Sequence, residues 1–454
     1  MSVELNNLNV GIILVIFILT YIGIIHQSFD KTLAAVLGAM AASIAIIYMK
    51  IQVDNPHLPG EFMDATEAQL IHFEDLSIIG LIFGTLILVE VSQEAGVFHY
   101  LSVNILKATK GDPKKLLRYF GALTMILSAL VNNISAMMIV GSLTLIACER
   151  LELDPKPYII TELSMTTVGG IMTLISSVPN IIVAQIFGLT FTSFLIIGAP
   201  FAIIAMILNF MIFEYLFRND IPVPSDPKIN EAKVNEFDPW GAVTDKNLFY
   251  KSIFVLTLTI FGFVFSAQLG LSLAVIAISG AVLIVLVSGI KIDEIMSRLD
   301  WGLIAFFLGL FVLIQALALV DILAFIAEKL TEILPNDSLT SSIILLWFIS
   351  IISGVVDNIV VAAAFGPILF EVANNPDNPL SPDLLAWAMI FGANFGGGLT
   401  PIGAPSAVVG LALLYRKTGE KIGWGEFIKT QGLATFVRLI FTSFYLWFLH
   451  IFVL

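Results

Sequence analysis

The first half of this chain recurs in its second half, and that duplication limits the possible folds more than any single residue does. Two stretches carry it most clearly: Leu130–Cys148, LVNNISAMMIVGSLTLIAC, and Val355–Ala373, VVDNIVVAAAFGPILFEVA. Each sets two adjacent polar residues, Asn132-Asn133 and Asp357-Asn358, inside an otherwise apolar run. Asp75 and Asp300 stand 225 positions apart, as do Gly84 and Gly309, Glu90 and Gln315, and Asn133 and Asn358. A glycine-rich interruption follows each block, GGIMTLISSVPN from Gly169 and GGGLTPIGAPSA from Gly396. Thr173 and Thr400 are 227 apart, so two inserted residues separate the registers. A repeat of nearly half the chain sets the architecture before any local reading does.

The medium of that architecture is lipid. Of 454 residues, 58% are hydrophobic and 13% charged, with a mean hydropathy of +0.97; soluble domains carry about 25% charged residues. Several apolar runs are long enough to cross a core of roughly 30 Å. Spans are expected at 9–26, 31–49 and 77–95, an amphipathic stretch at 96–110, an apolar run with the polar pair in its middle at 115–149, an interrupted span at 157–190, and a further span at 193–216. The second half repeats the order at 249–268, 271–289, 301–320, 321–333, 340–373, 382–414 and 430–453. This divides the chain into a first repeat (1–216), a charged, proline-containing linker (217–247) and a second repeat (248–454). MSVELNNLNV has no basic start, so the first apolar run reads as a span and not a cleaved leader.

Each polar pair sits in a run that can cross once or enter and return as a re-entrant hairpin. The basic residues decide between these. With the N-terminus outside and both runs as hairpins, 19 of 22 lysines and arginines fall in the cytoplasm, as the positive-inside rule prefers. Only Lys50 and Lys329 fall outside, and Arg438 lies within a span. Five spans per repeat is an odd number, so the repeats are inverted. The expected fold is an all-α polytopic membrane protein of two inverted repeats, each with five transmembrane helices and one re-entrant hairpin. Its helices break at the transport site, the usual build of a secondary transporter. The linker is then cytoplasmic and both termini outside, the arrangement the charges favour.

Non-helical backbone at membrane depth is tolerated only where it is buried in protein or lines a cavity. The glycines at 169–170 and 396–398 allow unwinding, and Pro179, Pro401 and Pro405 leave carbonyls unpaired. Amides and carboxylates in hydrocarbon cost several kcal/mol each unless something binds them. The expected ion-binding set is Asn132, Asn133, Ser135, Gly169, Gly170, Thr173, Asp357, Asn358, Gly397, Thr400 and Gly403. Its oxygens are hard ligands that suit Na⁺, with Asn133, Asn358 and Asp357 at the tips as the metal ligands. Helix N-termini at the same breaks would suit an anion. Asp357 could exchange H⁺ for Na⁺; the alternative for it, and for Asn132 and Asn133, is a helix cap. Glu90 and Glu162 are further proton-coupling candidates, each with snorkelling to the interface as its alternative. Arg438 could hold an anion or pair with a neighbouring helix. The two tips should contribute comparably, being related by the repeat.

Other classes lose support. Cys148 is the one cysteine, so there is no intrachain disulfide or cysteine-rich metal site. His26, His57, His72, His99 and His450 fall in loops or near interfaces. No GxxxxGK[ST] loop occurs, which argues against ATP-driven transport. No enzyme activity, bound cofactor or nucleic-acid partner is expected; the partners are the bilayer and small inorganic ions.

These residues resemble the ion transporter superfamily. The resemblance rests on the tip asparagine followed nine residues later by proline (Asn358 to Pro367) and on the two GGxxTxI-like breaks with Pro179 and Pro405 beyond them. It covers the chain from about Leu8 onward and is nearest to the branch of NhaD-type sodium/proton antiporters, arsenite permeases and the melanosomal P protein, with its citrate-transporter-like domain. It implies scaffold helices around a mobile transport core, a homodimer, a cell-membrane location and an elevator-like movement. The dicarboxylate branch carries Ser-Asn-Thr at both tips. Asn132-Asn133-Ile134 and Asp357-Asn358-Ile359 stand there in this chain, which argues against citrate or succinate. The expected function is Na⁺/H⁺ antiport; the alternatives are a coupled transporter of arsenite, a small carboxylate or another oxyanion, and an ion channel.

Overall fold

The computed structural model describes residues 7–25, 30–49, 52–54, 62–64, 70, 73–223, 227–243, 245–375 and 380–453. The first half contains α1 (Asn7–Ile25), α2 (Lys31–Met49), a ribbon of β1 (Gln52–Asp54) and β2 (Phe62–Asp64), α3 (Phe73–Glu94) and α4 (Val97–Thr109). It continues with α5 (Pro113–Leu130), α6 (Asn133–Leu151), α7 (Lys156–Gly169), α8 (Val178–Phe187), α9 (Phe191–Ser193) and α10 (Ala199–Leu216). The linker holds α11 (Pro227–Asn235). The second half contains α12 (Lys246–Val264), α13 (Ser266–Leu269), α14 (Leu273–Ser288), α15 (Ile292–Arg298), α16 (Trp301–Leu319) and α17 (Ile322–Ile333). It ends with α18 (Ser338–Ser353), α19 (Asn358–Ala373), α20 (Pro382–Gly396), α21 (Pro405–Thr418), α22 (Trp424–Phe427) and α23 (Leu433–Phe452). Apart from the short antiparallel ribbon, which pairs Val53 with Met63, the described chain is helical. Most of the acidic 54–74 loop lies outside the described residues.

Helices form where the sequence allows them and stop where it forbids them. Asp112 caps α5, accepting from the backbone N–H groups of Lys114 and Lys115, and Pro113 occupies the first turn. Polar caps also start α18 and α20, through Asp337 and Ser381. At Gly169 and Gly396 the helices α7 and α20 end, and their second halves, α8 and α21, begin only at Val178 and Pro405.

The chain is an integral membrane protein. Seven helices among the described residues are long and apolar enough to cross a bilayer, and the sharply bent pair α17–α18, at 116°, would make eight. The sequence placed ten spans and two hairpins. Six of the ten spans are among these seven helices, the seventh being α6 of the first hairpin run; the other four are broken or short: α7 and α8 have 14 and 10 residues, α20 and α21 have 15 and 14, α14 has 16, and α1 is counted only over Asn9–Ile24. A straight crossing takes about 20. Large apolar side chains stand exposed along α1, α2, α10, α12, α14 and α23, including Leu19, Ile44, Met211, Phe254, Leu286 and Phe444. In water such a surface would be an aggregation hazard; in lipid it is the expected outer face. By contrast α7 from Pro157 and α20 from Leu384 are buried on every side, so these two helices form the centre.

The two halves interlock through equivalent contacts. α2 packs along α16, and α14 packs along α3. A Cβ on Gly309 would lie 2.8 Å from the Ala35 backbone, and one on Gly84 would lie 2.5 Å from the Ala277 backbone, so both crossings require glycine. Likewise α19 packs on α8 and α21 on α6, each pairing one half's hairpin helix with the other half's broken helix. The final long helix of each half also carries one π-helical turn, Phe194–Gly198 and Ile428–Gly432.

Candidate functional site

The polar pairs sit at the turns of two helical hairpins, α5–α6 and α18–α19, and each turn is tied to a helix break by matching bonds. Ser128 Oγ lies within donating distance of the Thr166 carbonyl at 2.9 Å, and Ser353 Oγ donates to the Ala393 carbonyl at 2.6 Å. Thr173 Oγ1 donates to the Ala129 carbonyl at 2.6 Å, and Thr400 Oγ1 donates to the Gly354 carbonyl. A Cβ on Gly169 would stand 2.3 Å from the Met125 carbonyl oxygen, and one on Gly396 would stand 2.3 Å from that of Ser350. Each pair of positions is separated by 225 or 227 residues. The threonines therefore anchor hairpin to break with their protons and keep oxygen lone pairs for a ligand.

Side chains then make the two sites unlike. At the first tip Asn132 caps α6, its Oδ1 accepting from Ser135 N–H at 2.8 Å. Ser135 thus enters through its backbone. Asn133 Oδ1 accepts from Ser128 Oγ. At the first break Ser176 Oγ donates toward the carbonyls of Gly170 and Thr173, at 2.8 and 2.6 Å, and Asn180 Nδ2 reaches the same two at 2.6 and 2.9 Å. The unwound backbone of the first break is thereby satisfied from within.

At the second tip Asp357 Oδ1 accepts from Ile359 N–H at 3.0 Å, and Oδ2 accepts from Lys31 Nζ at 3.2 Å. Asn358 is buried, and its side chain makes no hydrogen bond among the described residues. The positions matching Ser176 and Asn180 are Gly403 and Ala407, which have no side chain able to donate, although the Gly403 backbone N–H reaches the Thr400 carbonyl at 3.3 Å. No side-chain hydrogen bond reaches the carbonyls of Gly397 or Thr400 among the described residues. Gly403 instead packs close: a Cβ there would be 3.0 Å from the Gly397 carbonyl oxygen. The second tip thus holds a carboxylate, an amide, a hydroxyl and carbonyls in one neighbourhood.

The two breaks meet through residues that the sequence reading did not single out. Asn394 Nδ2 donates to Asn180 Oδ1 at 2.8 Å, and its own buried Oδ1 has no partner. A Cβ on Gly170 would lie 3.0 Å from that Oδ1 and 3.3 Å from Asn133 Nδ2. Thr166 Oγ1 and Ser406 Oγ lie 3.1 Å apart. Asn180 and Ser406 were visible inside the two quoted motifs. Asn394 stands just ahead of the second glycine run, where only the fold reveals it.

The outlying candidates separate. Glu90 is 3.8 Å from Arg298, which also binds Glu94 at 2.6 Å, so it belongs to a charged cluster away from the tips. Glu162 does not snorkel: it is 1% exposed, Thr144 donates to one oxygen, and the other has no partner. The physical reason is that α7 is enclosed along its length, leaving no route to an interface. Arg438 is fully buried with its charge balanced by hydroxyls and a carbonyl, not by an acid. It donates to Ser164 and Thr167 on α7 and to Thr435, and lies over the Phe395 ring at 5.1 Å. Among the described residues no cluster of three or more His, Cys, Asp or Glu could hold a metal.

A long helical hairpin and a broken helix from each half, meeting through polar backbone, define a membrane transporter. The family described as citrate transporter matches residues 13–392, and the chain belongs to that family, within the ion transporter superfamily. It is 30% identical to an uncharacterized transporter of Mycobacterium tuberculosis over 432 residues, 95% of this chain and 96% of the relative. It is 26% identical to the P protein of Homo sapiens over 463 residues, 86% of this chain and 54% of that longer protein. Among solved structures it shares the fold of the YdaH transporter of Alcanivorax borkumensis, with a TM-score of 0.62 at 12% identity, covering 92% of this chain and 97% of that one.

Proposed function

We propose that this chain is a sodium/proton antiporter that works by alternating access, with the cation held at the second hairpin tip. What carries the reading is the Asp357 carboxylate, next to Asn358 in a turn that Thr400 ties to the second break through the Gly354 carbonyl. A carboxylate, an amide and backbone carbonyls are hard oxygen ligands with one negative charge among them, which suits Na⁺ or Li⁺. One carboxylate that binds either H⁺ or Na⁺ exchanges the two without further machinery. Glu162 is a second, buried acid on the central helix and a route for the proton. The citrate-transporter description of the family and the uncharacterized transporter of Mycobacterium tuberculosis support a transport role and leave the cargo of this chain to be measured. Proteoliposomes loaded with a pH dye provide that measurement. A Na⁺ pulse with no organic solute should move protons; Na⁺ uptake that instead requires a solute would remove the antiport reading.

A second reading has its own observation. The buried Arg438 guanidinium lies against the second break, 3.2 Å from where a Gly398 Cβ would be, and helix N-termini point into the same region. Both favour an anion such as a small carboxylate or an oxyanion, driven by Na⁺ or H⁺.

The proposal includes two inverted repeats with re-entrant hairpins, a homodimer in the cell membrane, outside termini and a cytoplasmic linker. In a Cys148→Ser background, a cysteine in the 54–67 loop should react with an impermeant thiol reagent from outside, and one in the 227–236 linker should not. Reversed labelling would invert the arrangement and remove the charge argument for hairpins.

A further inference from the structure

We propose that Lys31 is a tethered competitor for the cation of this site: its ammonium occupies Asp357 when the transported ion is absent and leaves when that ion binds. The inference rests on the antiport reading and adds to it a residue 326 positions away in sequence.

The carboxylate divides its oxygens. Oδ1 is committed to the backbone N–H of Ile359, as the cap of α19. Oδ2 is the oxygen left for a cation, and Lys31 Nζ holds it at 3.2 Å. An ammonium and a sodium ion at the same oxygen exclude each other by charge and by volume. The pair is partly open to solvent, with side-chain exposures of 39% for Lys31 and 17% for Asp357. Ion pairs of that exposure are weak, so an arriving ion can displace this one.

The helix that carries this lysine does not favour it. Lys31 is the first residue of α2, at the positive end of the helix dipole, where a cation is disfavoured. Its surroundings fix it to a different body from the one carrying Asp357. Thr32 Oγ1 donates to the Gly302 carbonyl of α16 at 3.1 Å, and Lys31 Nζ lies 5.5 Å from the centroid of the Phe306 ring, also on α16. The ammonium therefore belongs to the α2–α16 pair, and the carboxylate to the α18–α19 hairpin. The other half supplies a control: α14 begins with Leu273 where α2 begins with Lys31, and the first tip has Asn132 where the second has Asp357. The lysine occurs in the half whose partner tip carries the acid.

A competitor that holds a fraction of the sites raises the apparent Kd of the ion in proportion. Full-length detergent-purified protein is titrated with NaCl at constant ionic strength, and the Na⁺ concentration giving half-maximal thermal stabilisation is read for wild type, Lys31→Gln and Lys31→Arg. Lys31→Gln should need about 3- to 10-fold less Na⁺, and Lys31→Arg should stay within about twofold of wild type because it keeps the charge. Equal or weaker Na⁺ binding by Lys31→Gln, with a normal wild-type response, overturns the competition and leaves the antiport reading standing. Absence of any Na⁺ response in wild type removes that reading and this inference with it. Lys31→Met, of similar length and no charge, serves in the same way should Lys31→Gln fold poorly.

Discussion

The two hairpin tips share a backbone and differ in what they leave unpaired. Both are tied to a helix break by a serine and a threonine at matching positions, and both pack against a glycine that admits no Cβ. Around the first tip Asn132 caps its helix, Asn133 accepts from Ser128, and Ser176 and Asn180 cover the carbonyls of the break. Around the second, Gly403 and Ala407 replace those two side chains, and a carboxylate is added. The duplicated scaffold thus carries side-chain hydrogen bonds at its first break that the second break lacks, and that difference is the ground for the ligand site proposed at the second.

The largest effect expected from this comparison is at Asp357. Asp357→Asn keeps the shape and an oxygen able to cap Ile359, and removes the charge. It should fold normally and lose Na⁺-triggered proton movement in proteoliposomes. Normal coupling in the mutant would move the exchanging group to Glu162 and erase the main difference between the tips.

The asparagines come next. Asn358→Ala removes an amide with no protein partner, from a site that a cation would desolvate. The loss should be about 1–3 kcal/mol, or about 5- to 150-fold in apparent Na⁺ affinity. Asn133→Ala removes an amide already engaged by Ser128, so its effect on Na⁺ affinity should stay within about threefold. The repeat by itself implies equal effects. Titrating transport against Na⁺ decides between sequence symmetry and the observed asymmetry.

That contrast also marks how far the sequence could be read. The repeat was legible because it preserves register: a glycine needed for close approach in one half is needed again 225 or 227 positions later. The polar pairs were legible because they interrupt apolar runs. Lys31 was not, because its role depends on how α2 packs beside a tip from the other half. For Glu162 the sequence left a proton-coupling role and snorkelling both open, since its distance from a helix end says nothing of the neighbours that enclose α7. Asn394 lies two residues before a conspicuous glycine string and gives no signal until the breaks are brought together. The two broken spans were legible as well, because their glycines and prolines stand inside apolar runs.

A smaller effect tests the shared part of the two sites. Gly169→Ala and Gly396→Ala each force a methyl to within 2.3 Å of a carbonyl oxygen on the adjoining hairpin. Each should destabilise by about 1–3 kcal/mol through overpacking, and by similar amounts in thermal unfolding. A cost at only one of them would show that the hairpins are not equivalently seated on their breaks.

The smallest expected effect is at Asn132, the residue opposite Asp357 in the repeat. Its side-chain oxygen accepts from the Ser135 N–H and so satisfies one of the orphan donors at the start of α6. Asn132→Ala removes that cap and should cost about 1 kcal/mol of stability. Asn132→Asp should stay within about 0.5 kcal/mol of wild type, because Asp and Asn cap about equally well. Neither change should alter the Na⁺ dependence of transport if the first tip is only structural. Thermal unfolding together with a Na⁺ titration separates the possibilities. Should Asn132→Ala unfold like wild type yet bind Na⁺ more weakly, the residue is an ion ligand, and the first tip is as open as the second.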